Sequence, residues 1–324
     1  MPCLLCGSGR FSPVVAAEDP VTRAGGFCLV VCCQSCGLQF TNPRPVAAEM
    51  GGFYPSDYRP WADRAAGSRL RAGVRHRLER AVLRVAYAHP PQPAGGVERL
   101  LALAGRAWLR RPRQRETWFP FRPPGRLLDF GCGRGDFLEL MRFYGWTVEG
   151  VELSRETAAA VEQRTGIRVH VGSLPNADLE PQSFDAVTMW NSLEHVHHPR
   201  AIVRAARDLV RTGGLVVIGV PNIDSWSFRQ FREHWWQLDL PRHLTHFTPA
   251  TLADLVEREG FAVRTIDQIG RPGWLRKSVR RATAAGAARW STRLLGWKWA
   301  ALAASNWGER TRQADFIRAI AEKR

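Results

Sequence analysis

The chain has 324 residues, 45% of them hydrophobic, and a formal net charge of +16. That length favours one large domain with smaller attachments, and the lack of any run of about 18 apolar residues excludes a transmembrane helix. The surplus of Lys and Arg falls within residues 59–122 and 271–324, leaving 1–58 and 123–270 mildly acidic, which argues against a catalytic domain that itself grips nucleic acid.

The first residues, Met-Pro-Cys-Leu-Leu-Cys, lack the basic-then-apolar order of a secretory signal, so a reducing cytoplasm is expected. Two Cys-x2-Cys pairs, Cys3/Cys6 and Cys33/Cys36, can set four thiolates around one tetrahedral Zn²⁺. Such a site is structural, because four cysteines leave no open position. Gly7 and Gly37 follow the pairs directly, where a knuckle needs a residue free to turn. The stretch between the pairs predicts a hairpin that turns over Pro20–Gly26 and returns along Phe27–Cys32. Cys32 is an alternative ligand to Cys33, and Cys28 reads as a small buried apolar residue. Free buried thiols are the plainer alternative; a redox pair would want a thioredoxin-like βαβ context. Leu38–Tyr58, rich in proline and aromatics, reads as a packed connector, with Tyr54 and Tyr58 either reaching a ligand or packing on the main domain.

Residues 59–122 read as a basic helical segment. Arg69–Tyr87 and Val97–Trp108 carry apolar residues at helical spacing, with a Pro/Gly-rich break at His89–Gly96. Their arginines form either a solvated face on helices that cover the main domain or a surface for an anionic membrane.

From Arg126 strand and helix alternate. Arg126–Phe130 predicts a buried parallel strand, Gly131, Gly133 and Gly135 a tight turn, and Asp136–Tyr144 a helix. Strands follow at Thr147–Leu153, Ile167–Val171, Ser183–Trp190 and Leu215–Val220, with helices at Ser154–Arg164 and Pro199–Val210. Gly213-Gly214 reads as the turn before the last of these strands. Their C-terminal ends converge on one edge, where doubly wound sheets bind ligands. Glu152, at the tip of the second strand, can accept both hydroxyls of an adenosine ribose. No Gly-Lys-Ser/Thr follows the glycines, which excludes a nucleoside-triphosphate P-loop. A dinucleotide fingerprint needs glycine at 136, and Asp136 stands there, facing the place a pyrophosphate would occupy. A cofactor with a positive sulfonium and no phosphate fits better.

Leu-Leu-Asp-Phe-Gly-Cys-Gly-Arg-Gly at 127–135, Val-Glu-Gly-Val-Glu-Leu-Ser at 148–154, Ser-Phe-Asp-Ala-Val at 183–187, Leu-Glu-His-Val at 193–196, Gly-Gly-Leu-Val-Val-Ile at 213–218 and Val-Pro-Asn at 220–222 stand in order. In these motifs the chain resembles class I S-adenosylmethionine-dependent methyltransferases. Asp-Leu-Pro-Arg-His-Leu-Thr-His-Phe-Thr-Pro at 239–249 resembles a bacterial subfamily linked to sugar, polysaccharide or quinone-like substrates. The front cysteines look like the zinc module of deoxysugar C-methyltransferases. The resemblance implies a doubly wound, Rossmann-like seven-stranded α/β sheet with its last strand antiparallel. It also implies roles: Asp129 for the amino group of S-adenosylmethionine, Gly131, Gly133 and Gly135 for close backbone approach, Glu152 for the ribose and Leu153 for adenine. Ser173 stands where an acid often serves the adenine amino group, which leaves that contact to the Leu174 backbone. Asn191 opens the segment at the mouth of the cleft.

Pro221–Phe247, with Trp226, Phe228, Phe231, Trp235 and Trp236, is expected to lie over the methyl group as a wall or lid. His195, His243 and His246 are the candidate general bases, one of the last two being a structural alternative. A His/His/Glu metal site has no supporting spacing. Thr248 reads as the N-cap of a helix over Thr248–Glu259. Strands are expected at Phe261–Ile269 and Asp315–Ala321, with 271–308 as a helical insertion between them. Its tryptophans, Trp274, Trp290, Trp297, Trp299 and Trp307, interleave with basic residues. They suit an anionic lipid surface or the packing of a lid or dimer contact. The chain thus divides into a zinc module and connector (1–58), a basic helical segment (59–122) and a methyltransferase domain (123–324). The expected acceptor is a small molecule or glycan. An RNA methyltransferase with a zinc ribbon and a non-catalytic cofactor-binding scaffold are the alternatives.

Overall fold

The computed structural model describes residues 1–22, 26–54, 95–96, 100, 125–176 and 178–324. The helices expected within 59–122, and Tyr58, lie outside the described residues. At the N-terminus, β1 (Phe11–Glu18) and β2 (Phe27–Cys33) form the expected hairpin, and β3 (Gln39–Thr41) pairs antiparallel with β2.

The main sheet has β4 (Arg126–Phe130), β5 (Thr147–Glu152), β6 (Val169–Val171), β7 (Phe184–Trp190) and β8 (Val210–Pro221) running parallel. Helices α1 (Asp136–Phe143), α2 (Arg155–Thr165) and α3 (Pro199–Leu209) connect them. The central strands are mostly apolar, with Leu127, Leu128, Val187 and Val217 fully buried, as expected of strands covered on both faces. Local signals set the helix ends. Ser154 Oγ accepts the Thr157 N–H at 3.1 Å as the cap of α2, and Gly166, at φ 67°, ends it. Pro199 opens α3.

The strand expected from Leu215 begins earlier, at Val210. Val210 pairs with Phe184, and the register shifts before Ala186 meets Leu215. The Gly213-Gly214 turn is therefore a bulge within one strand. A Cβ on Gly214 would lie 2.6 Å from Val210 Cγ1 and 2.9 Å from the Asp185 carbonyl, so no larger residue fits there.

Beyond β8 come α4 (Trp226–Phe231), the two-residue β9 (Thr245–His246), α5 (Pro249–Arg258) and β10 (Phe261–Ile269). The insertion forms α6 (Pro272–Ala284), α7 (Trp290–Arg293) and α8 (Lys298–Arg310), and β11 (Phe316–Lys323) closes the chain. The seven strands lie in the order β10-β11-β8-β7-β4-β5-β6, with β11 antiparallel to both neighbours. Thr248 caps α5 in a reciprocal box with Thr251.

Two features bind the N-terminal unit to the main domain. β9 pairs with β3, Gln39 opposite His246 and Phe40 opposite Thr245, and completes a four-stranded sheet. Cys3, Leu5, Leu38 and Phe40 share one apolar core with β4, β7, β8 and α5. Burying a side chain such as Leu38 or Phe40 stabilises by about 1.5–3 kcal/mol. The aromatic segment after β8 is a packed wall: Phe228, Phe231, Trp235 and Leu238 bury against Val15 and Val30 of the hairpin and Leu275 and Val279 of α6. Among the described residues no helix is long and apolar enough to cross a membrane.

Candidate active site

The glycine turn leaves β4 at the C-terminal edge of the sheet. Gly131, Gly133 and Gly135 take φ values of 72°, 51° and 74°, the left-handed region that favours glycine. Two of them serve the protein's own packing. A Cβ on Gly131 would lie 2.6 Å from Ser192 Cβ, and one on Gly135 2.7 Å from Val161 Cγ1. The turn thereby locks against the loop after β7 and against α2.

A buried carboxylate lies on each side of the turn. Asp129 Oδ1 accepts from Thr188 Oγ1 at 2.6 Å. Burial pushes Asp129 up to about 7; Thr188 opposes that shift and Glu152 adds to it. Glu152 accepts the N–H of Gly133 at 2.9 Å on one oxygen and that of Ser154 at 3.0 Å on the other. Each oxygen keeps a further lone pair. Leu153, next to it, is 76% exposed, while Leu174 is buried beside exposed Ser173. Asn191, at φ 50°, gives its N–H to Gly219 at 2.8 Å, and its Oδ1 is buried with no hydrogen-bond partner. These residues gather at the tips of β4, β5, β6 and β7, the edge expected from the sequence.

The three candidate histidines come together. The rings of His195 and His243 lie 4.6 Å apart and those of His243 and His246 6.4 Å apart. Burial keeps all three below the usual imidazole range, His246 at about 3, so they are neutral at physiological pH. His195 Nδ1 lies 3.1 Å from the Arg242 carbonyl, and His243 Nδ1 lies 2.9 Å from that of Gln237. A carbonyl only accepts, so each Nδ1 carries the proton and each Nε2 keeps its lone pair. Tyr54 Oη is also 3.0 Å from His195 Nδ1. His246 differs: it sits in β9 with Nε2 3.2 Å from Thr41 Oγ1, a hydroxyl that also donates to the His243 carbonyl at 2.8 Å. That bond ties β9 to β3.

Glu194 and Arg242 stand out only in the structure. Glu194 is 1% exposed, and both carboxylate oxygens lack a hydrogen-bond partner. Burial pushes it up to about 8, its own backbone N–H opposing and Asp239 adding to the shift. Its place in Leu-Glu-His-Val was the one available signal. Glu194, His195 and His243 each offer a ligand atom within 4.8 Å of the others, a cluster for which the sequence spacing gave no support. Arg242 is fully buried. Its Nη2 and Nη1 donate to Asp19 Oδ1 and Oδ2 at 2.7 and 3.1 Å, and Nη2 also donates to Asp239 Oδ1 at 2.9 Å. Burial works to raise Asp19, but Arg242 holds it below the usual carboxylate range. This network sits under the histidines and joins the hairpin turn to the 239–249 segment.

At the N-terminus, Cys3 and Cys36 Sγ lie 3.5 Å apart, as do Cys6 and Cys33, and all four fall within 4.8 Å of one another. Gly7 and Gly37 donate back to the carbonyls of Cys3 and Cys33 at 3.0 and 2.8 Å, both at φ 76°. Cys32, the alternative to Cys33, is outside the cluster and points to backbone carbonyls of Cys33 and Gly37.

Residues 98–266, just over half of the chain, match the family model described as "Methyltransferase domain". A ubiquinone biosynthesis O-methyltransferase of Paraburkholderia phymatum is 30% identical, over 44% of this chain and 67% of its own length. One of Burkholderia vietnamiensis is 31% identical, over 44% of this chain and 69% of its own. A solved S-adenosylmethionine-dependent methyltransferase of Mesorhizobium loti is similar at 19% identity and a TM-score of 0.44, covering 68% of this chain and 97% of that one. By the family match and these relatives, the chain belongs to the methyltransferase-domain family and is an S-adenosylmethionine-dependent methyltransferase.

Proposed function

We propose that the chain transfers the methyl group of S-adenosylmethionine to a hydroxyl oxygen of a small-molecule acceptor. The observation that carries the cofactor reading is the pair of buried carboxylates, Asp129 and Glu152, at the tips of adjacent strands on either side of the glycine turn. When bound, the cofactor supplies an electrophilic methyl on a sulfonium. In this reading Asp129 accepts from its ammonium, and Glu152 uses its remaining lone pairs for the two ribose hydroxyls. The exposed Leu153 covers adenine, with Ser173 and the Leu174 backbone at its rim. The unpartnered Asn191 Oδ1 takes a donor at the mouth of the cleft. The acceptor enters on the side of His195 and His243, whose neutral Nε2 atoms suit proton removal. The likeness to O-methyltransferases supports oxygen as the acceptor atom, and the 239–249 motif keeps glycan hydroxyls in the set. Four cysteines without a fifth donor suit a structural Zn²⁺: tetrahedral thiolates sit about 3.8 Å apart, close to the observed spacing.

Incubation with methyl-labelled S-adenosylmethionine and a panel of phenols and of free and lipid-linked sugars is expected to label hydroxyl oxygens. Cofactor binding without label on any acceptor would favour the scaffold reading, and label on RNA would favour the zinc-ribbon RNA enzyme.

The insertion offers a site for the acceptor's environment. Trp290, Trp297 and Trp299 are 80%, 60% and 64% exposed, among Arg289, Arg293 and Lys298, which suits the headgroup zone of an anionic lipid surface. The chain is expected to float with vesicles of anionic phospholipid. Replacing the three tryptophans by serine should cut the bound fraction about tenfold or more. Equal flotation of both proteins, or none by the wild type, would remove the membrane role.

A further inference from the structure

We propose that Glu194, His195 and His243 form a binding site for one divalent transition-metal cation, separate from the cysteine cluster. Three observations converge. One ligand atom from each residue lies within 4.8 Å of the other two. A tetrahedral site with bonds of about 2.0–2.1 Å needs ligands about 3.4 Å apart, so a shift on the order of 1 Å closes the set. The histidines suit a metal: each Nδ1 lies at hydrogen-bond distance from a backbone carbonyl, of Arg242 for His195 and of Gln237 for His243, which leaves Nε2 unprotonated. Metal-bound histidines are held in this way. Glu194 is the strongest sign. A carboxylate 1% exposed with both oxygens unpartnered is costly to bury, and a cation is the partner that would satisfy it. Asp239 Oδ2, 3.9 Å from His243 Nε2, adds negative charge, while its other oxygen is held by Arg242.

Two imidazoles and one carboxylate suit Zn²⁺, Co²⁺ or Fe²⁺ better than Mg²⁺ or Ca²⁺. Three protein ligands also leave a position open, as in catalytic rather than structural sites. What the cation does there rests on the methyltransferase reading. Glu194 lies two residues beyond Ser192, which packs against Gly131 of the cofactor turn. A cation at this point would take the acceptor oxygen as a ligand and lower its pKa. With both Nε2 atoms bound to the cation neither histidine acts as the base, so the acceptor's proton leaves to water and its oxygen bonds the methyl carbon. The carbon–sulfur bond breaks, and its electron pair returns to sulfur.

The test uses the full chain with zinc in the cysteine cluster, titrated with CoCl2 and followed by visible absorption. Wild type is expected to take up one Co²⁺ with the d–d bands of a nitrogen and oxygen site and no thiolate charge-transfer band. Glu194→Gln, which keeps the shape and removes the anionic ligand, and His243→Gln should lower that uptake from one equivalent to none. Wild type that binds no Co²⁺, a thiolate-type spectrum alone, or variants that bind like wild type would each overturn the proposal. S-adenosylmethionine affinity measured on the same samples separates the two readings. Cofactor binding without Co²⁺ uptake defeats the metal site alone. Co²⁺ uptake without cofactor binding defeats the methyl-transfer reading and leaves the metal site standing.

Discussion

Asp129→Asn and Glu152→Gln are each expected to weaken S-adenosylmethionine binding about 10- to 100-fold, the loss for a hydrogen bond to a charged group worth roughly 1.5–3 kcal/mol. Titration calorimetry reads both. Asp129 carries a second expectation, in pH. Burial raises it to about 7, so near that pH half of the free protein holds a neutral carboxylic acid. A bound ammonium needs the carboxylate, so binding below pH 7 must expel a proton. Affinity should fall roughly tenfold per unit of pH below 7 and level off above 8. The cofactor's own ammonium stays charged through this range, and Asp129→Asn should flatten the slope. Equal wild-type affinity at pH 6 and pH 8 would remove Asp129 from contact with the amino group.

Arg242→Ala is expected to destabilise the fold by about 3–5 kcal/mol, the cost of breaking a buried ion pair from one side. The guanidinium is fully buried between Asp19 and Asp239. Its removal leaves Asp19, also fully buried, with Thr22 Oγ1 and the Val21 N–H as its remaining hydrogen-bond donors. Chemical denaturation reads the change. Arg242→Met with Asp19→Asn should recover part of it, because the fully buried charge of Asp19 is then gone and only Asp239 loses its partner. A loss below about 1 kcal/mol for Arg242→Ala would mean that water reaches the network. His195 should feel the substitution too, since its Nδ1 bonds the Arg242 carbonyl and its neighbour Tyr54 follows the Phe53 carbonyl held by Nη1 at 3.0 Å.

The chain's local signals were readable. Apolar runs placed β4, β7 and β10, Ser154 and Thr248 announced the starts of α2 and α5, and the two cysteine pairs with their glycines fell together as spacing required. Each of these depends on a few neighbouring residues. What the sequence hid depends on distant ones. Nothing near Thr245 says that two residues will complete a sheet begun at Phe11. Glu194 stood in the sequence only as a member of Leu-Glu-His-Val, and its lack of a partner is visible only once burial is known. Glycines assigned to ligand approach are partly there for Ser192 and Val161, because a turn that close to its own protein has no room for a Cβ. Of His243 and His246 the sequence could not say which was structural, and the bond to Thr41 gives His246 that task.

The pairing of β9 with β3 also sets an order in time. The bond from Thr41 to His246 spans 205 residues. At about 5–20 residues per second on the ribosome, the emerging hairpin waits roughly 10–40 s for its fourth strand. Through that interval Leu38 and Phe40 lack the part of their core that α5 supplies. Four thiols that close early around a metal would hold the two knuckles together until the rest of the chain arrives.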